Sequence, residues 1–245
     1  MYKSKVLIGF ISICYVLFAI FEFSGNDIVA YNLNALIIPL ITLTYMLFIS
    51  KKSIWFFLFL ILYSIADLMA LVINNMPIDQ TGKLYDYQYY IGNSLYIIAY
   101  MFLVVKIVKS LSLKHVIKNF KIHLLVLSIL NVYLVYVLQI IIHPNLVLES
   151  DYYLELVYNI VVVLLLAVAL LNYFYRDNKK SLYLFIGSVF IVFSEFIDVA
   201  YIYITQRSLL NVIGTTLAMV AFYFYYQQSK LLNQKTEENN YMLLD

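Results

Sequence analysis

Residues 54–74 read IWFFLFLILYSIADLMALVIN, an apolar run broken by a single charge, Asp67, and preceded by Lys51-Lys52-Ser53. At 1.5 Å of rise per residue a helix of this length covers about 30 Å, the thickness of a bilayer's hydrocarbon core. The run therefore reads as a membrane-spanning helix, and its one carboxyl stands out, because an ionisable group in hydrocarbon costs about 2.5 kcal/mol or more and is a functional-site hypothesis by default. Farther along, Glu195 occupies a similar place in the apolar stretch 181–205.

The rest of the chain extends the same reading. Hydrophobic residues make up 64% of the 245 and charged residues only 12%, a balance that cannot cover a soluble domain with polar surface. Eight spans are expected, at about 6–23, 31–50, 54–74, 87–110, 122–143, 152–175, 181–205 and 209–232. The fold class is thus all-α, a polytopic membrane protein of eight transmembrane helices. The basic residues test the count, since Lys and Arg collect on cytosolic connections. One side would hold Lys3, Lys5, Lys51, Lys52, Lys106, Lys109, Lys114, Lys118, Lys121, Arg176, Lys179, Lys180, Lys230 and Lys235, the other only Lys83 and Arg207. That distribution places both termini in the cytosol. Net charge of +2 is then a topology signal and implies no nucleic-acid partner.

Lys3 and Lys5 ahead of the first span resemble a signal peptide, but the apolar run is long for one and no small-residue cleavage site follows, so a retained helix is expected. Cys14 is the only cysteine, and His115, His123 and His143 are scattered, which leaves no candidate metal cluster and no internal disulfide. Phosphate-loop, nucleophile-elbow and zinc-protease patterns are absent, and no cofactor is implied.

Sliding the chain on itself until Asp67 falls on Glu195 also lays Lys51-Lys52-Ser53 on Lys179-Lys180-Ser181 and brings Tyr31-Asn32 next to Tyr158-Asn159. A slightly smaller shift aligns Ile91-Gly92-Asn93-Ser94-Leu95 with Ile213-Gly214-Thr215-Thr216-Leu217. Two parallel four-helix repeats are expected, about 1–110 and 118–232, forming a single transmembrane domain with a polar tail at 233–245. An even number of helices per unit preserves orientation, so equivalent residues share a depth, about 20 Å from the cytosolic edge for both acids. Asn32, Asn34, Asn93, Ser94, Tyr158, Asn159, Asn211, Thr215 and Thr216 also lie toward the outer side. With inner halves rich in Leu, Ile, Val and Phe, the pattern describes a polar cavity open outward and closed below. Each Asn, Thr or Ser has a plainer use as a helix-joining hydrogen bond worth about 0.6–2 kcal/mol. Gly92 and Gly214 read as close-packing positions, the 25 tyrosines mainly as an interfacial belt, and Glu22 and Glu155 as interfacial. Asp198, one turn beyond Glu195, either joins the site or is solvated.

Two carboxyls facing one another in a low dielectric share a proton more readily than both ionise, which puts an acid and a base in one place. Such a pair suits hydrolysis through an oxocarbenium-like cation, and it suits a proton-coupled carrier equally. The helical pattern does not separate these.

Short motifs recur in order through the helices: Asn34 to Pro39 in the second, Ala66-Asp67 in the third, Gly92 through Ala99-Tyr100 in the fourth, Gly187 with Ser194-Glu195 in the seventh, and the aromatic run Tyr223 to Gln227 in the eighth. This set resembles the lysoplasmalogenase family, the YhhN-like eight-helix membrane enzymes that cleave the vinyl ether bond of lysoplasmalogens to a fatty aldehyde and a glycerophospho-base. The resemblance covers nearly the whole chain. It implies Asp67 and Glu195 as catalytic residues, a lysophospholipid substrate and no cofactor; with that chemistry Asn34, Asn93, Tyr100 and Thr215 would orient headgroup or water as substrate-binding residues, and Asp198, from its place beside Glu195, is a further substrate-binding candidate. The chain departs from the family pattern by carrying Asn34 for Lys, Tyr100 for His and Glu195 for Asp. An amide cannot replace an ammonium as an anion anchor, and a tyrosine does not carry a positive charge. These departures leave room for an inactive lipid-binding descendant, and the carboxyl pair keeps a proton-coupled carrier of a small solute in view.

Overall fold

The computed structural model describes residues 2–76, 83–146 and 148–231. These form the helices α1 (Tyr2–Phe23), α2 (Asp27–Phe48), α3 (Ile54–Asn74), α4 (Lys83–Val108), α5 (Leu113–Asn119), α6 (Lys121–Ile142), α7 (Glu149–Arg176), α8 (Lys179–Tyr203) and α9 (Ser208–Lys230), with one 3-10 turn at His143–Asn145. Eight of them, all but α5, are long and apolar enough to cross a membrane, and the chain is a multi-pass membrane protein. Lys235 and the tail expected at 233–245 lie outside the described residues.

Polar residues at the connections set the helix ends. Asn26 caps α2 by accepting from the Val29 amide at 3.4 Å, after Gly25 turns the chain at φ 77°, a conformation that glycine adopts at no steric cost. This cap starts α2 at Asp27, four residues before the apolar run suggests. Between α7 and α8 only two residues intervene. Asp177 takes the left-handed conformation (φ 40°) that ends α7, and Asn178 accepts from the Ser181 amide at 2.9 Å to open α8. The short helix α5 lies in the lysine-rich connection between the fourth and fifth spans, where hydropathy marks only a loop.

Packing follows chain order, α1 on α2 on α3 on α4 and α6 on α7 on α8 on α9. A broad seam joins α4 to α7, whereas α9 meets α1 and α2 over a much smaller area. An aromatic layer fills the interior: Phe56, Phe59, Tyr100, Phe222 and Tyr225 are almost wholly buried, with Phe59 stacked on Phe222 at 5.7 Å between ring centroids and edge-on to Tyr225 at 6.0 Å. Gly187 makes room for this layer, since a Cβ there would stand 2.7 Å from the Tyr225 ring. The small seam carries polar bonds, from Tyr15 to Thr216 at 2.6 Å and from Asn211 to Glu22 at 2.9 Å.

Glu22 and Glu155 are buried, at 5% and 8% exposure, and not interfacial as the sequence suggests, because donors inside the bundle hold them: Asn211 donates to Glu22, and Tyr89 and Tyr203 donate to Glu155. Several tyrosines likewise belong to the core and not to an interfacial belt, with Tyr45, Tyr100 and Tyr225 among the largest fully buried side chains.

Candidate acid–tyrosine site

Asp67 lies seven residues before the end of α3 and Glu195 eight before the end of α8, about 10 and about 12 Å from those ends. Both helices begin beside paired lysines, Lys51-Lys52 and Lys179-Lys180. The two carboxyls therefore sit at a similar level, toward the end of the bundle opposite those lysines.

Tyrosine hydroxyls surround them. Tyr96 of α4 donates to Asp67 Oδ1 at 2.5 Å, and one turn farther along α4 Tyr100 donates to Glu195 Oε1. Tyr158 of α7 donates to Glu195 Oε2 at 2.6 Å, so each oxygen of Glu195 has its own donor. Tyr63, one turn before Asp67, lies edge-on to Tyr96 at 4.7 Å and to Tyr100 at 5.9 Å, and Tyr100 is in turn edge-on to Tyr158 at 6.1 Å. Asp67, Tyr96, Tyr63, Tyr100, Glu195 and Tyr158 thus form one chain of rings and carboxyls carried by α3, α4, α7 and α8. Among the described residues no hydrogen bond joins the two carboxyls directly. Asp67 and Tyr100 are buried, while Tyr63, Tyr96, Tyr158 and Glu195 keep partial exposure as residues.

The other sequence candidates divide. Tyr100 joins the acids. Asp198 lies against α9, where a Cβ on Gly214 would fall 2.3 Å from its Oδ1, and Ser194 donates to the Gly214 carbonyl at 2.8 Å. Gly214 is therefore the close-packing position the sequence suggests, whereas a Cβ on Gly92 would meet only Met69 at 3.5 Å. Thr215 donates to Asn34 Oδ1 at 3.3 Å, which pairs these two across α2 and α9 rather than with the acids. Asn93 donates back to the Tyr89 carbonyl of its own helix at 2.9 Å. Nothing in the sequence but spacing singles out Tyr63 and Tyr96, and Tyr158 stands out there only by its depth and its place in the internal alignment. Tyr63 and Tyr96 fall one turn from Asp67 and Tyr100 on their own helices. Asn159, next to Tyr158, has a buried amide nitrogen with no hydrogen-bond partner.

The inner end, expected to be closed, is not sealed. A cavity of about 1030 Å³ opens at the lysine-rich end, lined by the ends of α2, α4, α7 and α9, the start of α8 and residues 50–53. The inner halves are less apolar than their sequence suggests, because Lys106, Asn172, Ser181 and Gln228 turn inward there; Lys106 donates to Gln228 at 2.8 Å and Ser110 to Asn172 at 2.7 Å.

Comparison with protein-family models, with curated proteins and with solved structures finds no match to this chain.

Proposed function

We propose that the protein is a membrane hydrolase of the lysoplasmalogenase kind, with Asp67 and Glu195 as its acid–base couple and a lysophospholipid as substrate. One observation carries this reading: two carboxyls at one level of the bundle belong to a single tyrosine network that, among the described residues, includes no cation. A carboxyl held only by hydroxyls exchanges a proton without losing an ion-pair partner, which acid–base work in a dry interior requires.

In the proposed reaction the neutral carboxyl protonates the vinyl ether carbon distal to oxygen, and the ionised carboxylate faces the resulting oxocarbenium ion. The same carboxylate takes a proton from water as the water oxygen bonds to the cationic carbon. The hemiacetal so formed collapses to a fatty aldehyde and the glycerophospho alcohol, its hydroxyl proton passing to the departing oxygen by way of the carboxyls. Tyr96, Tyr100 and Tyr158 are positioning residues. Asn34, Asn93, Thr215 and Asp198 would meet the headgroup or the water. The reading includes a duplicated four-helix unit with both termini in the cytosol, and it uses no metal or organic cofactor.

The test is aldehyde release from a lysoplasmenyl lipid in nanodiscs by wild type, Asp67→Asn and Glu195→Gln. Losing a general acid or base costs about 100-fold or more, so both variants should fall by at least that factor. Equal rates in all three would remove the proposed roles. A second reading, a proton-coupled carrier, gains from the cavity at the lysine-rich end, since a carrier needs access from both faces. It predicts proton-driven solute uptake by proteoliposomes and no aldehyde.

A further inference from the structure

The cavity at the lysine-rich end has a one-sided chemistry that neither reading of the acid–tyrosine site uses. Lys52, Lys106, Lys109 and Lys230 are among its lining residues, beside Arg176, which donates to the Ser110 carbonyl at 2.6 Å, and Lys180, which donates to the Leu231 carbonyl at 2.8 Å; no Asp or Glu is, among the described residues. Membrane topology collects lysines on one face, but it does not require them to surround a common space, nor to set one inside the bundle. Lys106 is so placed. It lies in the last turn of α4, its ammonium donates to the buried amide of Gln228 at 2.8 Å and stands 4.5 Å from the centroid of the buried Phe56 ring, and among the described residues no carboxylate bonds to it. An ammonium held by one neutral amide and one ring keeps donors for a further partner. At the mouth Lys109 lies over Trp55, 4.0 Å from its centroid. Neutral donors and acceptors complete the wall, including Ser53, Asn178 and Ser229.

Several cations around one space repel each other unless an anion joins them, and a compact anion bearing more than one charge satisfies them best. The volume, about 1030 Å³, suits a small organic molecule or a lipid headgroup and is far larger than a single halide needs. Lysine and arginine together meet phosphate oxygens as point charge and as planar fork.

We propose that this cavity is a binding site for a multiply charged phosphate ester, presented either as a lipid headgroup or as a soluble molecule. The site is independent of the acid–tyrosine cluster, from which the aromatic layer of Phe56, Phe59, Phe222 and Tyr225 separates it.

Full-length protein in phosphatidylcholine nanodiscs is titrated calorimetrically with inorganic pyrophosphate and glycerol 3-phosphate, and its thermal midpoint is compared with that in nanodiscs containing phosphatidic acid. Binding of the soluble probes, or a rise in midpoint confined to phosphatidic acid, supports the proposal and identifies the source. Lys106→Gln and, at the rim, Lys109→Gln should each weaken the effect about 10-fold, with Lys109→Gln unfolding at the wild-type temperature. The proposal is overturned if neither phosphate source acts above chloride and phosphatidylcholine controls, or if both variants bind as wild type does. It is also overturned if binding appears only after residues 232–245, which include Glu237 and Glu238, are removed, since the cavity would then serve the chain's own acidic end.

Discussion

The two ends of the bundle solve the problem of charge in opposite ways. At one end Asp67, Glu155 and Glu195 are held by the hydroxyls of Tyr96, Tyr89, Tyr203, Tyr100 and Tyr158, with no Lys or Arg among these partners. At the other, basic residues line an open cavity that no acid enters among the described residues. The chain as a whole is nearly neutral, and among the described residues the hydroxyl-held acids and the basic cavity lie at opposite ends of the bundle. The acids are satisfied from within by fixed donors, whereas Lys106 and Lys109 border a space that solvent or a ligand fills. Removing a charge should therefore cost stability at the first end and little at the second.

The largest expected effect tests that asymmetry directly. Glu195→Leu leaves the hydroxyls of Tyr100 and Tyr158 without their acceptor, and an unsatisfied buried polar group costs about 1–3 kcal/mol, so about 2–6 kcal/mol should be lost. Lys106→Met removes one bond to the Gln228 amide, which lines a cavity where water can take over that bond, and should stay within about 1 kcal/mol of wild type. Reversible unfolding in mixed micelles measures both. Equal losses would show that the two ends are built alike, and a Glu195→Leu/Tyr100→Phe double-mutant cycle would assign the share due to that one contact.

A smaller difference separates two glycines that the internal alignment makes equivalent. Gly214→Ala pushes a methyl group to 2.3 Å from Asp198 Oδ1 across the tightly packed α8–α9 pair, and overpacking of this kind costs about 1–3 kcal/mol. Gly92→Ala meets only the flexible end of Met69 at 3.5 Å and should gain about 0.5–1 kcal/mol from helix propensity. Opposite signs in the same assay would fix Asp198 as a packed side chain of α8 and α9. If Gly214→Ala is as benign as Gly92→Ala, the Asp198 carboxyl swings free of α9.

These comparisons also mark what the sequence made legible. Eight apolar helices follow from segment length and charge, because a bilayer imposes both on each span separately. Asp67 and Glu195 stood out for the same reason, as isolated charges in apolar runs. Their partners did not. A tyrosine beside an intramembrane acid has the same local sequence as one anchoring an interface, and only the packing of α4 against α3, α7 and α8 turns Tyr96 and Tyr100 toward carboxyls on other helices. Asn34 and Thr215 were flagged correctly as polar, but depth alone did not reveal that they bond each other. The cavity was hidden by a signal already accounted for: its lysines were read as topology markers, and nothing local distinguishes Lys106, which points into the bundle, from Lys118 on α5. Gly187 escaped as a packing position because its counterpart, the Tyr225 ring, comes from another helix.

The smallest effect probes the basic end where it is most exposed. Lys109→Gln removes the ammonium held 4.0 Å over Trp55, an exposed cation–π contact worth less than about 1 kcal/mol. Water at the cavity mouth compensates most of that loss, and added salt should shrink what remains, because exposed charges are screened over about 10 Å at 0.1 M. Stability near that of wild type combined with weaker pyrophosphate binding would separate the lysine's contribution to a ligand from any contribution to the fold. A Lys109→Gln protein that unfolds at markedly lower temperature, by a salt-independent amount, would make the rim lysine part of the scaffold and erase the contrast with Glu195.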